Sequence, residues 1–307
     1  MPQDNPSVAS ASVIAELIAV VVAVTEGQPR VLTIDAGQAL PSGPFVSGHR
    51  SLQSGMRSWV EQQTHHPLGY VEQLYTFADR DRTDGDTRRV VSISYLGLTR
   101  EARMADDPSV GWQSWYRYFP WEDRRGAEPF IVEEKLAAPL LAWAEAGDDW
   151  VTRRDRRHRI AISFGLENER WNEDLVLQRY ELLWEAGLVP EAAGKGVAPG
   201  TPMTHDHRRI LATAIARLRA KIKYRPVVFE LMSPTFTLLQ LQRTVEALAG
   251  RLLHKQNFRR LIDQQDLVEE TGEVTSGTGG RPAKLFRFRG AVLAERAVSG
   301  TKLPLAR

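Results

Sequence analysis

The sequence has no cysteine among its 307 residues. This absence excludes disulfide-stapled folds, thiolate catalysis, cysteine zinc fingers and iron–sulfur clusters. Long apolar runs are also missing, because the longest, residues 13–24, includes Glu16. A membrane helix needs about 20 apolar residues, so this Val-rich run indicates a buried strand. No basic segment precedes it, so no signal peptide is expected; we expect a cytoplasmic or nucleoid-associated protein with no membrane partner.

The chain as a whole lacks a dominant charge, with a formal net charge of +2. Its two ends differ: residues 1–204 carry a net charge of −8 and residues 205–307 a net charge of +10. Such asymmetry suggests that the C-terminal part meets an anion, often nucleic acid. A chance imbalance of solvated charges is the alternative. The length predicts about two domains, and 42% hydrophobic residues indicate an ordinary folded chain.

The N-terminal part alternates strand and helix patterns. Residues 1–10 are small and polar, and we expect a disordered tail there. Two strands are predicted over residues 11–35, broken at 26–29 by Glu-Gly-Gln-Pro. A helix follows over 51–64, where apolar residues recur on one face, and strands are predicted over 70–79 and 90–98. The mixture predicts an α+β or α/β domain.

Residues 122–200 are harder to interpret. Two stretches with helical periodicity, 134–147 and 172–189, flank the basic run RRDRRHR, which is typical of a solvated helix face. Residues 190–202 have the composition of a loop. A strong helix is then predicted over 207–224, long enough to carry the chain from one domain into the next.

The segment after residue 235 predicts a helix-turn-helix. Thr237 and Gln240 fit a capping box that starts a helix, and Gly250 is typical of a helix end. A second helix is predicted over about 253–264, after a short turn.

The second helix has two chemically different sides. Phe258, Leu261 and Ile262 share one side and are expected to pack on the first helix. The opposite side carries residue types that reach base edges in the major groove: Lys255, Gln256, Arg259 and Arg260. Beyond it, short strands around the Gly/Thr-rich residues 271–280 predict a wing, with Arg281 and Lys284 near its tip facing phosphates or the minor groove. A winged helix that only makes protein contacts or dimerises is the alternative.

Residues 40–77 resemble the Nudix box, whose helix carries paired glutamates that bind Mg²⁺. In the best register, Arg50-Ser51-Leu52 and Gln62-Gln63-Thr64 align with the family's Glu-Ser-Leu and Glu-Glu-Thr. Trp59 takes the other metal-binding position. Gln and Trp are poor ligands for a hard cation, so the resemblance implies a Nudix-like α/β/α domain without catalysis, metal or cofactor.

A degenerate Nudix domain followed by a winged helix resembles the Nudix-related transcriptional regulators of NAD metabolism. The sharpest motifs are HDHRRILATAIARLRAKIKY, FTLLQLQ, KQNFRR and GRPAKLFRF. The resemblance implies a homodimeric repressor of NAD biosynthesis or salvage genes that binds a palindromic operator. It also implies an effector, ADP-ribose or a related nucleotide, that modulates operator binding through its differential affinity for two states.

The expected architecture is a sensing domain over residues 11–204, with 122–200 as a helical insertion, and a DNA-binding domain over 205–307. The candidate DNA contacts are Thr237, Lys255, Gln256, Asn257, Arg259, Arg260, Arg281 and Lys284. The candidate effector contacts are Phe45, Arg57, Arg80 and Arg88.

Other interpretations stay open from the sequence. An active ADP-ribose or NADH pyrophosphatase with an unrecognised metal site is one, and a protein-interaction adaptor is another. The aromatic residues between 112 and 121 predict core packing, with adenine stacking as the sharper alternative. The pair His65 and His66 predicts surface histidines rather than a metal site. His205 and His207 open the long helix, with Asp206 as a candidate cap.

Overall fold

The computed structural model describes residues 13–78, 89–101, 107–126, 131–192, 196–223, 227–275 and 282–290. Within these ranges the N-terminal part is built on one mixed sheet of six strands. They are β1 (Val13–Thr25), β2 (Gln28–Thr33), β3 (Ser42–Pro44), β4 (Tyr70–Phe77), β5 (Arg89–Leu98) and β6 (Gly111–Ser114).

The sheet is organised around β1. Strand β5 pairs with it in parallel, from Val13 opposite Arg89 to Val22 opposite Leu98. Strands β2 and β3 pair with β1 antiparallel, and β4 and β6 complete the order β4-β5-β1-β2-β6. The predicted break between the first two strands is confirmed, although the turn uses only Glu26 and Gly27, both at positive φ.

Strand β1 is buried on both faces, as its continuous apolar run predicts. Ile18, Val20 and Val22 point into one apolar cluster, and the alternate residues of the strand point into the other. The helix α1 (Leu52–Thr64) covers the second cluster with Met56 and Val60.

On the other face of the sheet, α5 (His207–Ile222) contacts β1 and β4. Three further helices pack next to it and extend the same apolar cluster: α2 (Ala137–Glu145), α3 (Trp150–Phe164) and α4 (Val176–Glu185). The basic run falls within α3, as expected of a helix face. Its exposed Arg157 and Arg159 pair with glutamates, including Glu185. The expected sheet between two helical layers is therefore observed.

The aromatic segment after β6 belongs to the core, which confirms the packing interpretation. Each of its large side chains is at least nine-tenths buried: Trp112, Trp115, Tyr116, Tyr118, Phe119 and Trp121. Burial raises the pKa of Tyr118 to about 12, and its hydroxyl donates a 2.6 Å hydrogen bond to the carbonyl of Gly37.

The C-terminal part consists of α6 (Leu238–Ala249), α7 (Lys255–Gln265) and a two-stranded sheet, β7 (Val268–Val274) and β8 (Lys284–Phe288). A single apolar cluster runs from Ile18 in the sheet to Phe258, Ile262 and Phe288. The core does not divide near residue 204, so the division into domains at that point stays a prediction.

Two predictions in the C-terminal part are wrong in detail. Leu261 is 49% exposed, because the buried side of α7 is a narrow stripe formed by Phe258 and Ile262 alone. Strand β7 continues through Val274, where the sequence suggested a turn from residue 271, because Val274 pairs with Lys284 of β8 after a shift in register between Glu270 and Val274.

Two predictions about histidine and its neighbours also need correction. His66 is buried, with its ring centroid 5.5 Å from that of Trp112 and Nε2 3.2 Å from Thr99 Oγ1. Burial lowers the pKa of His66. Asp206 precedes α5 but makes no side-chain capping hydrogen bond to it. For His66, packing against the distant Trp112 decides the environment, and local spacing does not show it.

None of the helices in the described ranges combines the length and the apolar character needed to span a bilayer.

Candidate functional site

The helix α6 begins and ends where the sequence predicts. The Thr237 hydroxyl accepts from the Gln240 amide at 3.2 Å, and the Gln240 side chain accepts from the Thr237 amide at 2.7 Å. This reciprocal pair is a capping box, which satisfies two amides that have no partner within the helix. Gly250 ends the helix at φ 72°, a left-handed conformation that favours glycine.

The outer side of α7 presents its basic and polar side chains to solvent. Lys255, Gln256, Arg259 and Arg260 are all exposed. Among the described residues, none of these four side chains makes a hydrogen bond or an ion pair with another protein group. Unpaired guanidinium and ammonium groups on one helix face can bind phosphates or base edges without first breaking an internal bond.

The other two helix-turn-helix candidates differ in position. Asn257 is exposed on α7, next to the basic side chains. Thr237 is buried, with its hydroxyl engaged in the capping box. A DNA contact by Thr237 stays a prediction, and its geometry assigns the side chain a capping role.

The wing carries basic residues that are already paired. Lys284 Nζ lies 2.9 Å from Glu270 Oε1, and Arg287 Nε lies 2.7 Å from Glu269 Oε1. Phe236, just before α6, exchanges backbone hydrogen bonds with Phe286, which fixes β8 against the helix-turn-helix. Arg281 lies outside the described residues.

In α1, two of the side chains that the sequence register aligned with metal ligands bond to the protein's own backbone. Trp59 Nε1 donates to the Pro44 carbonyl at 2.9 Å. The Trp59 ring occupies the space above Gly43, where a Cβ would lie 2.8 Å from Nε1 and closer still to the ring carbons. Gln63 makes two hydrogen bonds to the backbone of Ser42, at 2.8 and 3.1 Å.

The remaining two positions add no acid to this site. Gln62 donates to Ser58 Oγ, and Arg50 is exposed just before the helix cap at Ser51. Across the described residues, no group of three or more His, Cys, Asp or Glu is arranged to hold a metal ion. Indole and amide side chains fill this region and would not replace carboxylates around Mg²⁺.

Two of the candidate effector contacts fall in the described residues, close to α1. Phe45 lies beside His49, with ring centroids 5.7 Å apart, and His49 lies 6.2 Å from Trp59. Arg57 donates to the carbonyls of Leu68 and Gly69, so its guanidinium stabilises the chain that leaves α1. Arg80 and Arg88 lie outside the described residues. The four positions stay predictions.

The start of α5 ties this helix to the N-terminal layer. His207 Nδ1 accepts from the Leu40 amide at 2.9 Å. Arg208 is fully buried, donating to the Tyr118 carbonyl and pairing with Glu191 at 3.2 Å. Within the HDHRR motif, His207 and Arg208 therefore have a packing role, with partners inside the protein.

Sequence reasoning missed a buried ionic group farther along α5. The Glu122 carboxylate accepts from Arg179 at 2.6 and 2.9 Å and from Arg219 at 2.5 Å, and all three side chains are fully buried. Burial alone would raise the pKa of Glu122, but the two guanidinium groups hold it below its usual value. A signal was available, since Arg208 and Arg219 are eleven residues apart and fall on the apolar stripe of α5.

The C-terminal region matches a known family. Residues 228–288 match the model of the NrtR DNA-binding winged helix domain. A curated relative, the ADPR responsive transcriptional repressor NtrR of Acinetobacter baylyi, is 41% identical over 86 residues, which are 28% of this chain. The matched part spans about a third, 34%, of that relative's length.

Solved structures share the fold over most of the chain. Shewanella oneidensis NrtR in complex with a 27mer DNA has a TM-score of 0.56 at 19% identity, covering 91% of this chain and 95% of that one. A MutT/nudix family protein from Enterococcus faecalis has a TM-score of 0.54 at 18% identity, covering 94% and 90%. These likenesses show the fold, and the resemblance to Nudix-related regulators inferred from the sequence is confirmed at that level.

Proposed function

We propose that the chain is a DNA-binding transcriptional repressor whose Nudix-like layer senses ADP-ribose or a related nucleotide. The observation that carries the proposal is the exposed basic face of α7, which has no partner among the described residues and lies within a region matched by a DNA-binding family model. Arg, Lys and Gln side chains on a recognition helix read bases and bind phosphates.

The sensing part of the proposal rests on the relative that is described as ADPR responsive. In the register predicted from the sequence, Trp59, Gln62 and Gln63 align with metal positions of the Nudix box, and Trp59 and Gln63 bond to the protein's own backbone. We infer that it binds the effector without cleaving it, since a sensor that hydrolyses its signal would erase the response. The target genes are expected to be those of NAD biosynthesis or salvage, and the acting form a homodimer on a palindromic operator.

Selection from a random library of duplexes tests the DNA-binding step. The wild-type protein is expected to enrich a palindromic sequence, and the enriched duplex then serves as the probe for affinity measurements. Enrichment of no sequence would favour a winged helix that only contacts proteins.

Titration of ADP-ribose tests the sensing step. Binding to the native state raises the melting temperature, and differential affinity for two states changes the affinity for the enriched duplex. Chromatography of the same mixture with Mg²⁺ measures AMP. Release of AMP at rates typical of an enzyme would contradict the proposed sensor and indicate an active pyrophosphatase.

A further inference from the structure

The turn between α6 and α7 lies against residues from outside the winged helix. The Tyr116 hydroxyl donates to the Ala247 carbonyl at 2.7 Å, and Arg219 Nε donates to the Leu248 carbonyl at 2.9 Å. The Arg124 amide donates to the Gly250 carbonyl at 2.7 Å. The last carbonyls of a helix have no partner within it, so these three donors satisfy the end of α6.

The neighbouring residues lie so close to Gly250 that no side chain fits at this position. A Cβ there would lie 2.7 Å from Arg219 Nη2 and 3.0 Å from the Tyr116 hydroxyl, and even closer to the Glu122 carbonyl oxygen. Gly250 also has a positive φ of 72°. The turn therefore fits against its neighbours only with glycine at this position and only in this orientation.

The ionic group of Glu122 connects the turn to α4 and to the end of α3. Arg219, which donates to the end of α6, shares the Glu122 carboxylate with Arg179 of α4. Arg179 in turn donates to the carbonyls of Ser163 and Asn172, at the end of α3 and in the following loop. Since one carboxylate serves two buried guanidinium groups, loss of any partner leaves an uncompensated charge in the interior.

The loop between α3 and α4 contacts the same turn directly. The Glu173 carboxylate lies 3.3 Å from Arg251 Nη2 and 3.2 Å from Lys223 Nζ. The backbone carbonyl of Glu173 accepts a hydrogen bond from Arg219 at 3.1 Å. Burial alone would raise the pKa of Glu173, but its own backbone amide, Arg251 and Lys223 together hold it below its usual value. The Cζ atoms of Arg124 and Arg179 lie 4.5 and 3.8 Å from the centroid of the Trp171 ring.

We propose that the segment 131–192, within the predicted helical insertion, holds the helix-turn-helix in its DNA-binding orientation. It does so through a group of residues that we call the seat: Tyr116, Glu122, Arg124, Glu173, Arg179 and Arg219. Glu122 and Glu173 are the positioning residues of the seat. This inference rests on the proposed DNA-binding function, and it gives residues 131–192 a role within that function.

The small buried surface of α7 explains why additional contacts, those of the seat, are needed to fix its orientation. The helix buries only Phe258 and Ile262, so its own packing constrains its direction weakly. Its first residue, Lys255, follows Arg251 closely, so the position of the turn sets where the basic face begins. Holding a binding element in its bound geometry raises affinity because less conformational freedom is lost on binding.

The substitution Glu173→Gln distinguishes the seat from a purely electrostatic effect, because the two predict changes of opposite sign in the affinity for DNA. Removal of a negative charge beside Arg251 would tighten DNA binding if only charge mattered. The seat predicts the opposite, a loss of affinity for the enriched duplex of about fivefold, because a half-buried ion pair to the turn is lost. Glu185→Gln, which removes the insertion's pair with Arg159 away from the turn, is the matched control and should leave the affinity unchanged.

A second pair of variants tests the same seat by steric means. Gly250→Ala places a Cβ inside the seat, and we expect more than about tenfold weaker binding of the duplex. Gly27→Ala is the control, because Gly27 has nearly the same φ, 71°, and nothing within 4 Å of an added Cβ. Both variants carry the backbone strain, and only Gly250→Ala should displace the turn.

Hydrogen exchange reports the displacement itself. In Glu173→Gln, the peptides that cover residues 116–126 and 245–253 should exchange faster, while peptides of the sheet should not change. Tighter or unchanged DNA binding by Glu173→Gln, or equal losses in Glu173→Gln and Glu185→Gln, would overturn the seat. Failure of the wild-type protein to bind any duplex would instead overturn the proposed function.

Discussion

The helices α1 and α7 are of similar length, 13 and 11 residues, and each carries the side chains from which a function was predicted. In α1 these side chains bond to the protein's own backbone, as Trp59 does to Pro44 and Gln63 to Ser42. In α7 the exposed Lys255 and Arg259 have no internal partner among the described residues. The same kind of element thus stabilises the fold in one region and remains available to a ligand in the other.

The largest effect is expected from the double substitution Lys255→Ala and Arg259→Ala. Each contact to a base or phosphate contributes about 1–3 kcal/mol, so affinity for the enriched duplex should fall about a hundredfold or more. Thermal stability should not change, since neither side chain has a partner among the described residues. Fluorescence anisotropy and a melting curve measure the two quantities.

Its control removes the same charge elsewhere. Lys135→Ala with Arg154→Ala also deletes two exposed cations, outside the winged helix. An equal loss of affinity in both double variants would mean that overall charge, and not the face of α7, governs binding.

For Trp59→Ala in α1 we expect the opposite result, a loss of stability with unchanged affinity for DNA. Loss of the ring above Gly43 and of its hydrogen bond should lower the free energy of unfolding by about 2 kcal/mol, or roughly 4–8 °C in Tm. DNA affinity should stay the same. Reduced DNA binding at a temperature where the variant is fully folded would show that the two helices are not separable in this way.

The cations of the wing are intermediate between the bonded side chains of α1 and the basic side chains of α7, because they are exposed but paired with glutamates. Glu270→Gln frees Lys284, and we expect about threefold tighter binding of DNA. The slope of log affinity against log salt should steepen by about 0.9 if one more phosphate is engaged. Glu133→Gln, exposed and far along the chain, serves as the control. An unchanged slope would indicate that Lys284 does not reach a phosphate.

The smallest expected effect is a change in thermal stability at acidic pH that depends on Glu173. The pKa of Glu173 is lowered from its ordinary value of 4.5 in the folded protein, so the unfolded chain binds more protons between the two values. The stabilisation from this residue is therefore complete above pH 4.5 and is lost as the pH falls through the lowered pKa. The difference in Tm between wild type and Glu173→Gln should accordingly shrink below pH 4.5. A constant difference at all pH values would contradict an ionised Glu173 as its source.

Local signals gave reliable predictions in this chain. The capping box at Thr237, the left-handed Gly250 and the apolar stripe of α5 are each decided within a few residues, and each is confirmed. The Val-rich run of β1 is likewise a short-range pattern that specifies burial on both faces.

Long-range partnerships were not predictable from the sequence. Glu122 lies 57 residues from Arg179 and 97 from Arg219, and the aromatic residues before it predict a core but do not identify these partners. The burial of His66 depends on Trp112, and the exposure of Leu261 depends on how narrow a contact α7 makes. Packing between distant segments set these environments, which is why the seat was found only in the structure.

The apolar cluster that joins the sheet to Phe258, Ile262 and Phe288 bears on how the chain melts. Charge divides this protein near residue 205, but its interior crosses that point without interruption. Cooperative unfolding follows shared packing and not surface charge, so calorimetry should record one transition for the whole chain. A chain cut after residue 204 would leave apolar surface uncovered on both pieces, and neither piece is expected to remain folded and soluble alone.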